Sequence, residues 1–123
     1  MNVIEMAFTG YPVTDLPRAR TFYEEALGLV PSWVNGTEEK AWVEYQIGSS
    51  ILAITNMAEE WNPSPDGPSV ALEMDDFEQA IQELKSQNVS VLIEPFETPV
   101  CHIAVIADPD GNGIIIHKRK TQI

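Results

Sequence analysis

Two histidines, His102 and His117, and one cysteine, Cys101, are the side chains of this chain whose reactivity water near neutral pH can switch. An imidazole titrates at about pH 6.5 and can act as a general base or a metal ligand, while a thiol acts through its thiolate. Between the histidines stands Asp108-Pro109-Asp110-Gly111-Asn112. Pro109 presets a turn φ, Asp110 and Asn112 can bond their own backbone, and Gly111 accepts positive φ, so a tight reversal is predicted between strands at 100–107 and 113–118. With Pro109 and Asp110 as the tip, His102 falls directly opposite His117. The ordinary role of such a pair at the open end of a hairpin is a rim bonded to water or backbone; the reactive one is a catalytic dyad. Cys101 lies one residue out of phase with His102, which predicts the opposite face and a buried, inert thiol.

The elements that must position these groups read as a repeat. A strand at 3–14 precedes a helix with Asp15 as N-cap, Pro17 in its first turn and Gly28 at its end, its apolar positions Leu16, Ala19, Tyr23, Ala26 and Leu27 recurring at helical spacing. Strands follow at 30–34, 41–47 and 50–56, with Asn35-Gly36 and Gly48-Ser49 as turns. A connector at 57–67, rich in proline and glycine, leads to a strand at 68–74, a helix capped by Asp75 or Asp76, and strands at 89–93, 100–107 and 113–118. Leu16, Ala19 and Tyr23 map onto Phe77, Ala80 and Leu84 at a constant offset of 61. The chain is therefore a duplicated βαβββ unit, module one at about 3–56 and module two at about 68–119, expected to share one core as a single domain over 1–123.

Composition narrows the function. Nineteen acidic against seven basic residues give a formal charge of −12, which repels a phosphate backbone and an anionic membrane, so nucleic acid and membrane are not expected partners. Lys118, Arg119 and Lys120 read as a solvated tail. One cysteine makes no internal disulfide, residues 1–7 lack the basic and apolar regions of a signal peptide, and no segment approaches the roughly 20 apolar residues of a membrane span. A cytoplasmic location is expected. Proline in Asn62-Pro63-Ser64 removes the glycosylation signal.

With Val13-Thr14-Asp15-Leu16-Pro17-Arg18-Ala19-Arg20-Thr21-Phe22-Tyr23, Leu27-Gly28-Leu29 and Ala107-Asp108-Pro109-Asp110-Gly111-Asn112 in this order, the chain resembles the vicinal oxygen chelate superfamily. That superfamily includes glyoxalase I, extradiol dioxygenases, bleomycin-resistance proteins and methylmalonyl-CoA epimerases. The resemblance implies an α+β fold in which two βαβββ modules curl into a cup-shaped mixed sheet with helices outside, and it implies a homodimer. Metal-dependent members place four His, Glu or Gln ligands in the cup, at positions that hold Phe8, Ala53, Ser69 and Ile115 here. Three of these side chains have no lone pair and a lone serine hydroxyl is a poor ligand, so no metal cofactor is expected and glyoxalase I and dioxygenase activities are not carried over.

Strand alternation from those positions gives the lining expected of the cup: Phe8, Trp42, Glu44, Thr55, Ser69, Glu73, His102 and His117. The turn at Gly48-Ser49 pairs Ala53 with Glu44 and Thr55 with Trp42, and Ile106 and Ala104 are expected on the face of His102 and His117. Trp61 is a candidate cover for the cup mouth or a subunit contact. Two functions follow. One is a metal-independent binder of a small planar or cationic molecule in an aromatic, acidic cup. The other is a lyase, isomerase or dioxygenase-type enzyme using His102 or His117 with Glu44 or Glu73 as acid and base, or as a displaced metal site. Trp42 and Phe8 could also simply fill the cup.

Overall fold

The computed structural model describes residues 1–2, 4–67 and 69–120, and its contacts divide the chain into two compact units, Met1–Pro63 and Ser64–Ile123. The first unit contains β1 (Thr9–Pro12), α1 (Leu16–Thr21) continued by a π-helical turn (Phe22–Ala26), β2 (Pro31–Gly36), β3 (Ala41–Ile47) and β4 (Ser50–Thr55). The second contains β5 (Val70–Glu73), α2 (Phe77–Ser86), β6 (Val91–Glu97), β7 (Cys101–Ala107) and β8 (Gly113–Arg119). Each unit has one four-stranded mixed sheet, ordered β1-β4-β3-β2 and β5-β8-β7-β6, with the first strand parallel to the last and the rest antiparallel. The class is α+β, built from two βαβββ modules. Both opening strands are shorter than the sequence predicts; Val3 and Pro68, where they were expected to begin, lie outside the described residues.

The duplication extends to individual hydrogen bonds. Asp15 and Asp76, 61 residues apart, are both extended N-caps whose carboxylates accept from Arg18 N and Gln79 N at 3.1 Å. Both helices end at a residue with positive φ, Gly28 at 73° and Asn88 at 61°. The closing bonds run from Leu29 N to Tyr23 O and from Val89 N to Leu84 O. Tyr23 and Leu84 keep the offset of 61 and Leu29 and Val89 do not, because the π-helical turn adds one residue to module one.

That turn also sets an ionic contact. Glu24 Oε2 accepts from Arg20 Nε at 2.6 Å and from the Tyr45 hydroxyl at 2.9 Å. Burial, then the bond to Glu24, pushes the Tyr45 phenol far above its ordinary value of 10.0, so it stays a donor. Tyr23 stacks on Tyr45 with ring centroids 6.1 Å apart. Leu16, Ala19 and Tyr23 of the helix are buried with Val43, Tyr45 and Ile54 of the sheet; in module two Phe77, Ile81 and Leu84 are buried with Ala104, Ile106, Ile114 and Ile116. Each sheet thus has a helix-covered face and an opposite face, with strand residues alternating between them.

Two turns differ from expectation. Asn35 and Gly36 belong to β2, and the reversal is made at Thr37 to Lys40, where Thr37 Oγ1 accepts from Lys40 N at 3.1 Å. Gly36 is needed for another reason: its φ is 135° and a Cβ there would collide with the Lys40 carbonyl. The second difference governs the site. The loop between β7 and β8 has three tip residues, Pro109, Asp110 and Gly111, and Asp108 N bonds Asn112 O at 3.0 Å. With Gly111 at φ 88°, this is a longer hairpin loop closed by a left-handed residue. Asp108 Oδ1 accepts from Asp110 N and Asn112 N, Oδ2 accepts from Asn112 Nδ2, all at 2.9 Å, and Asn112 Oδ1 accepts from Ser64 N at 3.0 Å. Asp108 and Asn112 are buried.

Replacing Asp108 with Ala should lower stability by about 1.5–3 kcal/mol, since charge-assisted bonds to a buried loop are lost together. Urea unfolding checks it; a midpoint equal to wild type would mean the carboxylate does not hold the loop.

Candidate functional site

The face of the first sheet away from α1 is aromatic. Gly10 pairs with Ala53, Ala53 with Glu44, Glu44 with Trp33, and Trp42 with both Thr55 and Asn35, so the pairing expected from the Gly48-Ser49 turn holds. Phe8 meets Trp42 edge to face with ring centroids 5.0 Å apart. The Trp42 indole N–H donates to Glu44 Oε2 at 2.8 Å, orienting both. A Cβ on Gly10 would lie 2.6 Å from the tip of the Trp61 ring and 3.4 Å from Phe8, so the connector returns its indole across the strand. Phe8, Trp33 and Trp61 remain 46%, 53% and 39% exposed, a surface that water disfavours. Thr55 is different: its hydroxyl donates to Ala41 O at 2.9 Å and accepts from Met57 N at 3.0 Å, and the residue is 2% exposed. It closes the strand end.

In the second unit the three-residue turn shifts the hairpin by one position. His117 pairs with Ile103, and His102 with Lys118. The histidines are therefore not opposite one another, and a one-residue slip puts them on opposite faces of the sheet. Ala104 and Ile106 share the face of His102, as expected, but not that of His117, and Cys101, expected to face away from His117, shares its face with Ile103 and Val105. Cys101 is buried and in no disulfide, with Sγ 3.2 Å from Thr98 Oγ1.

His117 has a partner instead in β5. Glu73 pairs with it in parallel register, and its Oε1 lies 2.6 Å from His117 Nδ1. Glu73 Oε2 accepts from Arg119 N at 2.7 Å. The Arg119 N–H first, then His117, hold the Glu73 carboxyl below its ordinary value of 4.5. An ionised carboxylate only accepts, so the Nδ1 facing it carries a proton. Ser69 is exposed, near the start of the same strand. His102 lies by α2, its ring centroid 5.6 Å from that of Phe77 and its Nδ1 3.5 Å from Glu97 Oε1.

A metal does not fit the positions that the resemblance marks for one. Phe8, Ala53 and Ile115 carry no donor atom and Ser69 offers a single hydroxyl. Nor does the displaced set assemble, because His102 and His117 occupy opposite faces of one sheet. Among the described residues no three His, Cys, Asp or Glu side chains group as ligands. Trp33 is not in the lining read from the sequence because a turn at Asn35-Gly36 hides its pairing; with the reversal at Thr37 to Lys40, Trp33 pairs with Glu44.

The sequence model of the Glyoxalase/Bleomycin resistance protein/Dioxygenase superfamily matches residues 5–116. The chain belongs to that superfamily. No protein of curated function matches it. Similar solved structures include TnmS3, an antibiotic binding protein from Streptomyces sp. CB03234, at 23% identity and TM-score 0.81, covering 98% of this chain and 99% of that one. A glyoxalase/bleomycin resistance protein from the same strain is 25% identical with TM-score 0.73, covering 91% and 98%. A superfamily member from Sphaerobacter thermophilus is 19% identical with TM-score 0.77, covering 94% and 98%.

Two outcomes test these placements. Because the Glu73 pKa is lowered by folding, its contribution to stability is present above the ordinary value of 4.5 and is lost as pH falls through the lower folded value. The stability difference between wild type and Glu73→Gln should be largest at neutral pH and shrink in acid; urea midpoints showing a pH-independent difference would contradict the contact. Gly10→Ala should fold with a change of within about 1 kcal/mol, since the atom it meets is the far end of a side chain, yet shift tryptophan emission as Trp61 moves. Unchanged emission would remove Trp61 from this face.

Proposed function

We propose that the protein binds a small, flat, cationic molecule against the aromatic face of its first unit, with Glu44 supplying the countercharge and no metal among the binding groups. The carrying observation is the Phe8–Trp42 edge-to-face pair with Glu44 bonded to the Trp42 indole. An aromatic face attracts a cation through its quadrupole, and the formal charge of −12 favours such a guest over an anion. The description of TnmS3 as an antibiotic binding protein is in keeping with this class of ligand. Thr55, with its hydroxyl engaged, contributes framework.

All three tryptophans, Trp33, Trp42 and Trp61, lie in the first unit, so their emission reports this face. A panel of antibiotics and metabolites screened by thermal shift supplies the ligand, since native-state binding raises apparent stability. Trp42→Ala should then weaken binding by about 0.5–2 kcal/mol. Glu44→Gln should weaken a cationic ligand and spare its neutral analogue; equal losses for both would argue against charge recognition.

The Glu73–His117 pair supports a second reading, an enzyme of lyase or isomerase type in which His117 Nε2 removes a proton while Glu73 orients the ring. Mass spectrometry after incubation decides it. A ligand recovered unchanged supports the binder; turnover that His117→Gln abolishes supports the enzyme.

We also propose a cytoplasmic homodimer. Exposed edge strands favour the dimer, and a lone buried thiol is in keeping with a reducing compartment. No helix among the described residues is long and apolar enough to cross a membrane. Light scattering at tens of micromolar chain should give twice the 13.7 kDa chain mass; a monomer would remove the dimer.

A further inference from the structure

The second unit contains a hollow of about 390 Å³ that lies on the helix side of its sheet, away from the face of His117. Phe77 and Ile81 of α2 and His102 of β7 give it an apolar and aromatic wall, Pro95 and Phe96 of β6 border it, and Glu78 and Glu97 are the carboxylates beside it. The volume suits a molecule of one or two rings. Among the residues lining the hollow there is no lysine or arginine. Lys120 Nζ and His102 Nδ1 approach Glu97 at 3.6 and 3.5 Å, both at Oε1.

The hollow does not come with the duplicated scaffold. At the offset of 61, Glu97 and His102 correspond to Gly36 and Ala41, which pair in the first sheet as Glu97 and His102 pair in the second. Ile81 corresponds to Arg20, whose guanidinium makes the ion pair with Glu24 at 2.6 Å. Module one therefore has neither the carboxylate nor the imidazole at these two positions, and has a cation of its own on the helix. Module two has aromatic walls and two carboxylates, with an apolar Ile81 at the position of that cation.

We propose that this hollow is a second binding site, for a small aromatic ammonium ion, with the ring against Phe77 and His102 and the charged nitrogen toward Glu78 and Glu97. It is independent of the aromatic face of module one. An aromatic wall beside carboxylates that face water is the arrangement in which a cation gains from both ring and countercharge.

The test is an NMR titration of the full chain with benzyltrimethylammonium, with benzyl alcohol as the neutral control. Saturable shifts are expected at the backbone amides of Glu78, Ile81, Glu97 and His102, with the neutral control at least about fivefold weaker. E78Q/E97Q should weaken these shifts about tenfold while leaving any response of the Trp42 indole as in wild type. Both replaced side chains are on the surface, and a dispersed amide spectrum confirms the fold; should the double variant unfold, the single variants E78Q and E97Q are each expected to lose part of the affinity. Absence of saturation at these residues, equal affinity in the charge-neutralised variants, or shifts confined to the first unit would overturn the proposal. Shifts at the same amides on raising protein concentration without cation would also overturn it, by placing a second copy of the chain on this surface.

Discussion

The Asp108 carboxylate determines how the second unit can be used. Its two oxygens gather the backbone N–H groups of Asp110 and Asn112 and the Asn112 amide, closing a loop whose tip has three residues. A side chain in a strand has only two directions available, so loop length decides which of them each residue of β7 takes relative to β8. With this loop His117 pairs with Ile103 and reaches Glu73; with a tip one residue shorter it would face His102. One turn thus separates two histidines into two chemical settings: a carboxylate-bonded imidazole on the open face, and an imidazole packed by a phenylalanine on the helix side.

Duplication followed by divergence accounts for the rest. The two modules share caps, closing bonds and strand order, yet the pair that is Glu73 and His117 in module two is Pro12 and Thr55 in module one. Module one carries its exposed rings on the corresponding face, with Phe8 and Trp42 in contact and Trp61 laid over Gly10. Its helix also gained a residue in the π-helical turn, and the turn carries Glu24, the acceptor shared by Arg20 and a buried tyrosine hydroxyl. The scaffold tolerates this because each helix end is fixed by its own backbone bonds, whatever lies between.

Much of the fold was legible in the sequence. Caps at Asp15 and Asp76, alternation in β3 and β4, and the two-residue Gly48-Ser49 turn each have a local cause, and the structure follows them. What failed depended on counting across a loop. Asn35-Gly36 looks like a turn, but the positive φ of Gly36 serves a close approach of β2 to Lys40 and Ala41. The Asp108 turn was recognised and its tip miscounted by one, which was enough to misplace His102 and Cys101. Glu44, Trp42 and Phe8 are legible together because nothing irregular intervenes between them, whereas the pairing of Trp33 depends on a turn at Thr37 to Lys40, beyond Asn35-Gly36. The Arg20–Glu24 pair had a visible signal, opposite charges four residues apart, while its extension to Tyr45 needed the π-helical turn that no spacing announced.

The assignment of faces in the second sheet is the claim on which the separation of sites depends, and cross-strand proton contacts measure it directly. A nuclear Overhauser spectrum of the native protein should connect backbone protons of His117 with those of Ile103, and of His102 with those of Lys118, as the pairing requires. Backbone contacts linking His102 directly to His117 would contradict the account, return both imidazoles to one face and reinstate a shared histidine site.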